Sequence, residues 1–135
     1  MPKRSSNSLS LNSQTKSQLR GSISDVPLVH SIYGFYQSLH ELVLKFPKSQ
    51  RYSLGATLQS QTLAALEEVI AAASTTDGKT KLKHLQTASA KVDLLRLLVR
   101  LAKDCKCISN GSYLELESAL HEAGRMLGGW IKSIK

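Results

Sequence analysis

Hydrophobic residues recur at three- and four-residue spacing along most of the chain after residue 24, which is the spacing of one face of an α-helix. The first helix is predicted to begin at Asp25, a good N-cap, with Pro27 in its first turn, where a missing N–H does no harm. It should run to about Lys45, because Pro47 disfavours helical geometry in the residue before it. Its predicted inward positions are Leu28, Ile32, Phe35, Leu39, Leu42 and Phe46.

Three more helices follow from the same spacing. The second is expected from about residues 50–53 to Ala73, and the third from about Lys79 to Cys105. The fourth should run from about Tyr113 to Ile134, with Ser112 and Glu115 arranged as a capping box. Four helices of similar length with short connections predict an all-α fold, an antiparallel up-down four-helix bundle over residues 25–135.

Residues 1–24 differ in composition from the rest. They contain eight serines, four basic residues and no aromatic residue. Such a segment buries too little apolar area to offset its ordering entropy, so a disordered basic tail is expected. Two interpretations stay open: a solubilising extension, or an arm that touches RNA.

The third helix carries two apolar stripes on nearly opposite sides. Leu85, Ala88, Val92, Leu95, Val99 and Ala102 form the first, at about 100° per residue. The second consists of Leu94, Leu97, Leu98 and Leu101. One stripe fills the bundle, so the other indicates either a helix buried on many sides or a subunit interface. We favour the interface, and hence an oligomer.

Arg96, Arg100 and Lys103 fall between the two stripes. Asp93 and Asp104 border the same arc at i,i+3 and i,i+4 spacing, so one interpretation is a solvated face whose charges pair locally. The other is a row that contacts phosphates, for which the planar, permanently charged guanidinium is well suited.

The chain is strongly basic, with a formal net charge of +8. In addition to the basic row on the third helix, two further basic clusters are candidate anion-binding sites. One lies at the predicted corner between the first two helices, and the other opens the third helix, where positive charge opposes the helix dipole. Their members are Lys45, Lys48 and Arg51, and Lys79, Lys81 and Lys83. A basic body favours a polyanionic partner such as nucleic acid.

The last helix contains Gly124, Gly128 and Gly129 within six residues. Each glycine in a helix interior costs about 1 kcal/mol relative to alanine, so a close helix–helix approach is expected here, with Trp130 packed over it. Arg125 beside this seam could be an ion-pair partner or a ligand contact.

No arrangement of residues suggests catalysis. The four histidines are scattered, no phosphate-binding glycine loop or HExxH motif occurs, and a bridge between Cys105 and Cys107 would be strained. We expect a non-enzymatic, cytoplasmic protein with free thiols, no metal site and no cofactor. It should not be a membrane protein, because no apolar stretch approaches the roughly 20 residues of a membrane span, and no secretory h-region is present.

Several of these segments together resemble the Avd family, the accessory variability determinants of diversity-generating retroelements. They are residues 46–48 (FPK), 52–55 (YSLG), 92–101 (VDLLRLLVRL) and 122–131 (EAGRMLGGWI). The similarity covers about residues 26–135. Proteins encoded in the intervening sequences of 23S ribosomal RNA share the fold.

The resemblance implies a four-helix bundle that forms a homopentamer around a basic channel and binds a reverse transcriptase together with template RNA or cDNA. Arg96 and Arg100 match the family's paired basic positions on the third helix. Leu94, Leu98 and Leu101 would lie at the interface, and Gly124, Arg125, Gly128 and Trp130 match a C-terminal signature that we interpret as structural. The alternative is an interaction module of the intervening-sequence type, without a nucleic-acid role.

Overall fold

The computed structural model describes residues 26–134, which form four long helices and no strand. The helices are α1 (Pro27–Val43), α2 (Ala56–Ser74), α3 (Gly78–Asp104) and α4 (Asn110–Ile134). The all-α prediction is therefore confirmed for this part of the chain. The predicted tail, residues 1–24, and the predicted N-cap Asp25 lie outside the described residues, and the N-cap position of α1 is occupied by Val26.

Helices that follow one another in sequence contact each other, and α1 also contacts α4. The Nζ of Lys81, near the start of α3, donates to the carbonyl of Ala72, near the end of α2, at 2.8 Å. At the other end of α3, the Nζ of Lys103 lies 4.6 Å from the ring centroid of Tyr113, in the first turn of α4. These contacts between the end of one helix and the start of the next are compatible with an up-down arrangement.

The core lies between the four helices, and α3 contributes one complete face to it. All six residues of the first predicted α3 stripe are at most 2% exposed. The predicted core positions of α1 are buried as well, except that Leu42 is half-buried at the edge of the core. The helical period therefore identified the core correctly. Among the described residues, no helix is long and apolar enough to cross a membrane.

The corner between α1 and α2 differs from the prediction. Helix α1 ends at Val43 rather than Lys45, and α2 proper begins at Ala56 rather than near residues 50–53. A single turn, Lys48–Gln50, and a π-helical segment, Arg51–Gly55, lie between them. The buried side chain of Phe46 and the following Pro47 set this turn, because proline cannot continue a helix.

Two helix ends also differ from the prediction. The hydroxyl of Ser109, not that of Ser112, caps α4: it accepts the N–H of Ser112 at 3.1 Å, so the predicted capping box was wrong. Helix α3 ends when Lys106 adopts a left-handed conformation with φ 63°. The N–H of Cys107 then donates to the carbonyl of Ala102 at 2.8 Å, which completes a Schellman motif and buries Cys107.

Gly55 permits the close approach of α1 and α2 at the corner. A Cβ at this position would lie 2.8 Å from Cγ1 of Val43 and 3.4 Å from Cδ2 of Phe46. Both neighbours are buried and stiff, so Gly55→Ala should lower the free energy of unfolding by about 1–3 kcal/mol, measured by urea denaturation.

The matched control is Gly34→Ala in the middle of α1, where a Cβ would meet nothing within 4 Å. That substitution should raise stability by about 1 kcal/mol, because alanine is the better helix former. Equal effects of the two substitutions would contradict a special packing role for Gly55.

Candidate functional site

The helix directions bring two of the three predicted basic clusters to one end of the molecule. Helix α1 ends and α2 begins there. The contacts Lys81–Ala72 and His84–Glu68 step backward along α2 as they step forward along α3, so α3 ends there as well. We call this the basic end; it carries Lys45, Lys48, Arg51, Arg100, Lys103 and Lys106. The third cluster, Lys79, Lys81 and Lys83, lies at the opposite end, about 30 Å away along α3 at 1.5 Å per residue.

Arg96 is paired across helices. Its Nη2 and Nε donate to the same carboxylate oxygen of Glu117 in α4, at 2.6 and 3.1 Å. This hydrogen bond, followed by the attraction of the two charges, raises the pKa of Arg96 above its usual value. The expected acid, Asp93, contributes a weaker attraction and forms no ion pair with Arg96. Arg96 therefore joins α3 to α4, and much of its charge is balanced within the chain.

Arg100, one turn further along α3, is different. It is exposed, and no acid within residues 26–134 forms an ion pair with it, so the expected pairing with Asp104 does not occur. Lys103 lies over the ring of Tyr113 with no acidic partner in the same range. A cation–π contact of this kind holds the ammonium group in place without neutralising it. Arg100 and Lys103 therefore present positive charge to solvent.

The corner cluster is also free of acidic partners in the described part of the chain. The sequence contains no Asp or Glu between Glu41 and Glu67, and none of Lys45, Lys48 and Arg51 forms an ion pair there. The Nε of Arg51 is buried and has no hydrogen-bond partner among residues 26–134. The side chain of Arg51 is thus held by packing against the corner rather than by a carboxylate.

At the opposite end, Lys81 is engaged inside the chain. Besides its hydrogen bond to the carbonyl of Ala72, its Nζ lies 5.6 Å from the centroid of the Trp130 ring. It therefore caps the end of α2, where positive charge is favourable, and this explains a cation that sequence alone left unexplained at the start of α3. Lys79 and Lys83 are exposed. Asp77 caps α3 by accepting the N–H of Thr80 at 3.0 Å, and the side-chain and backbone hydrogen bonds from Thr80 lower its pKa.

The second predicted stripe of α3 is largely uncovered in a single chain. Leu94, Leu97 and Leu101 are 40%, 63% and 44% exposed, whereas Leu98 is half-buried and packs against the core. Arg96 faces α4, whereas Arg100 is exposed. At about 100° per residue, Leu97 lies about 60° around the helix from Arg100, and Leu94 and Leu101 lie further from it. A row of large exposed leucines on one helix is typical of an interaction surface.

The C-terminal glycines are less closely packed than expected. A Cβ on Gly124 would lie 4.0 Å from Cγ1 of Val92, an ordinary contact, and on Gly128 or Gly129 it would meet nothing within 4 Å. The expected close approach at Gly128 is therefore absent within the described chain. Arg125 donates to Glu122 one turn earlier, so it pairs locally, and Trp130 packs at the edge of the core.

Some contacts could not be found from sequence spacing. Glu117 and Arg96 are 21 residues apart, and Glu68 accepts a hydrogen bond from Nδ1 of His84, 16 residues away, at 2.8 Å. These pairs meet only because neighbouring helices are rotated so that the two side chains face each other.

Among the described residues, no group of three or more His, Cys, Asp or Glu side chains could hold a metal ion, and Cys105 and Cys107 are free.

The Arg96–Glu117 pair can be measured by a double-mutant cycle with Arg96→Gln and Glu117→Gln. The two side chains are 40% and 26% exposed, so solvent screens the pair and its coupling free energy of unfolding should stay below about 1 kcal/mol and decrease with salt.

The control cycle combines Arg96→Gln with Asp93→Asn, the same-helix alternative. Its coupling should be smaller, because Asp93 forms no ion pair with Arg96. A larger coupling to Asp93 than to Glu117 would show that the arginine pairs within α3 instead.

A protein-family model described as bAvd-like matches residues 28–134, which include nearly all of α1, the other three helices and every candidate site residue. The resemblance to the Avd family is thereby confirmed. No curated protein matches the sequence.

Proposed function

Because the chain belongs to the bAvd-like family, we propose that it is a non-catalytic accessory subunit of a diversity-generating retroelement. In this proposal an antiparallel four-helix bundle in the cytoplasm binds the element's reverse transcriptase and its template RNA or cDNA, and so supports mutagenic reverse transcription. The observation that carries the nucleic-acid part is the basic end, where Arg100 and the corner cations have no acidic partner within residues 26–134.

Electrostatics favours a polyanion at this end. Phosphate contacts supply most of the affinity in nucleic-acid binding that is not specific for sequence, and they require cations that are not already neutralised. Arg100, Lys45 and Lys48 meet this requirement, whereas Arg96 is balanced by Glu117. Arg100 is therefore our first candidate for a phosphate contact, and Arg96 becomes a residue that positions α3 against α4.

The exposed leucines of α3 support self-association. Leu94, Leu97 and Leu101 form one uncovered apolar row, and burying apolar area stabilises association by roughly 25 cal/mol per Å². Identical copies could close into a ring, with a homopentamer as the stoichiometry that the family implies. Arg96 and Arg100 lie between this row and the buried face of α3.

A second candidate function follows from the same apolar row together with the Arg96–Glu117 pair. A structural or protein-interaction module of the ribosomal intervening-sequence type needs the exposed leucines but no free cations. This candidate predicts the same assembly without salt-dependent binding of nucleic acid.

The nucleic-acid proposal is tested with Arg100→Glu. Reversal of Arg96 is a poorer choice, since it would place a carboxylate against Glu117 and disturb the α3–α4 contact. Binding of a labelled RNA should weaken steeply with salt in the parent chain, and Arg100→Glu should weaken it at least tenfold near 0.1 M salt while helical content by circular dichroism is unchanged.

Lys132→Glu, which makes the same charge change on the exposed last turns of α4 at the opposite end, is the matched control and should have a much smaller effect. Equal effects of the two charge reversals would show that binding depends on the net charge of the protein rather than on the basic end. Absence of salt-dependent binding by the parent chain would favour the second candidate function.

The assembly proposal is tested by Leu97→Glu with Leu101→Glu. Two carboxylates in a desolvated interface are strongly unfavourable, so sedimentation should show the oligomer dissociating to monomers that keep their helical content. Leu114→Glu, at a leucine 56% exposed on α4, is the control and should leave the oligomer intact. A parent chain that sediments as a monomer would contradict the proposal directly.

A further inference from the structure

The α1–α2 corner combines unneutralised cations with one strongly exposed aromatic ring. Tyr52 is 75% exposed, the most exposed large hydrophobic residue among those described. It directly follows Arg51, which is itself spaced at three-residue intervals from Lys48 and Lys45. The function proposed above uses the cations of this corner but gives no role to the ring.

Comparison with the other three tyrosines makes Tyr52 unusual. Tyr36 stacks against His40 with ring centroids 6.3 Å apart, and Tyr113 lies under Lys103. Tyr33 is 52% exposed but lies on α1, with no cation within two residues of it in sequence. Among the four tyrosines, only Tyr52 adjoins a cluster of cations in sequence and also stacks on no aromatic ring or cation of the described residues.

The backbone beneath Tyr52 is fixed. The ring is attached to the π-helical segment Arg51–Gly55, whose last two residues, Leu54 and Gly55, are buried. Gly55 is closely packed against Val43 and Phe46, so this turn cannot shift without disturbing the core. π-Helical segments occur frequently at functional sites, and a rigid support lowers the entropy cost of using an exposed ring for binding.

We propose that this corner binds single-stranded nucleic acid, with Tyr52 stacking on an unpaired base while Lys45, Lys48 and Arg51 contact the adjacent phosphates. This proposal rests on the proposed function and narrows its ligand to unpaired strands. Bases in a duplex are stacked on one another and offer no free face to a side chain, whereas single-strand sites combine a basic surface with aromatic platforms. An acidic protein would use the cations but gain little from a bare aromatic face.

The test uses the full chain and two fluorescein-labelled probes, an oligouridylate of about 15 nucleotides, near the upper end of usual single-strand site sizes, and a blunt RNA duplex of equal length. Tyr52→Ala should weaken binding of the oligouridylate roughly 5- to 150-fold, the range of losses for one base–aromatic stack. Duplex binding should change less than twofold. The salt dependence for the oligouridylate should keep its slope, because no phosphate contact is removed.

Two variants control for structure and for general hydrophobicity. Tyr52→Phe keeps the ring and should retain the affinity of the parent for the oligouridylate. Tyr33→Ala removes an exposed ring from a site without neighbouring cations and should leave binding unchanged. Lys48→Ala, in contrast, should reduce the salt slope by about 0.7 for a single strand.

The possible failures are distinguishable. Oligouridylate binding that is insensitive to Tyr52→Ala, or lost equally in Tyr52→Phe, would overturn the stacking proposal while the proposed function stands. Equal losses for duplex and single strand would do the same. Polyglutamate binding with the same dependence on Tyr52 would show a protein site instead, and failure of the parent chain to bind either RNA would count against the proposed function itself.

Discussion

Burial of a single face of α3 fixes the position of the other surfaces of the molecule. Leu85, Ala88, Val92, Leu95, Val99 and Ala102 are almost completely removed from water and lie between α2 and α4. Close packing leaves such a helix no freedom to rotate about its axis. Arg96 must therefore meet Glu117 on one side, and Leu97 and Leu101 must face outward on another. The polarity of each α3 surface is a consequence of this one constraint.

Helical periodicity predicted that face because a helix with one buried side repeats its core positions every three or four residues, here over about five turns. The same argument fails at the corner, where Arg51–Gly55 departs from the helical repeat. A π-helical segment has no distinctive pattern over five residues, and its cause is tertiary, in the packing of Gly55 against Val43. The start of α4 was ambiguous for a different reason. Ser109 and Ser112 are both acceptable caps, and only the structure selects Ser109.

The sequence identified the basic residues of the candidate site, but it did not predict which groups surround each of them. Counting charges identified Arg100, Lys48 and Lys81 equally well, yet their surroundings differ. Lys81 caps the end of α2 and contacts Trp130, whereas Arg100 faces solvent without an acidic partner in the described chain. Which cations remain unneutralised depends on the relative rotation and direction of neighbouring helices. That information lies in long-range contacts that the local spacing of charges does not contain.

The glycines of α4 lower the stability of the helix, and this loss is relevant to assembly. Gly128 and Gly129 each destabilise the helix by about 1 kcal/mol relative to alanine, and neither is required by a neighbour in the described chain, since a Cβ there would meet open space. Gly124 contacts Val92 and is at least partly explained by α3. A bare backbone surface allows the close approach of another helix, so a contact outside the single chain would account for these two positions. This argument is independent of the exposed leucines of α3, because it concerns a different helix, and it favours an assembly in which both helices take part.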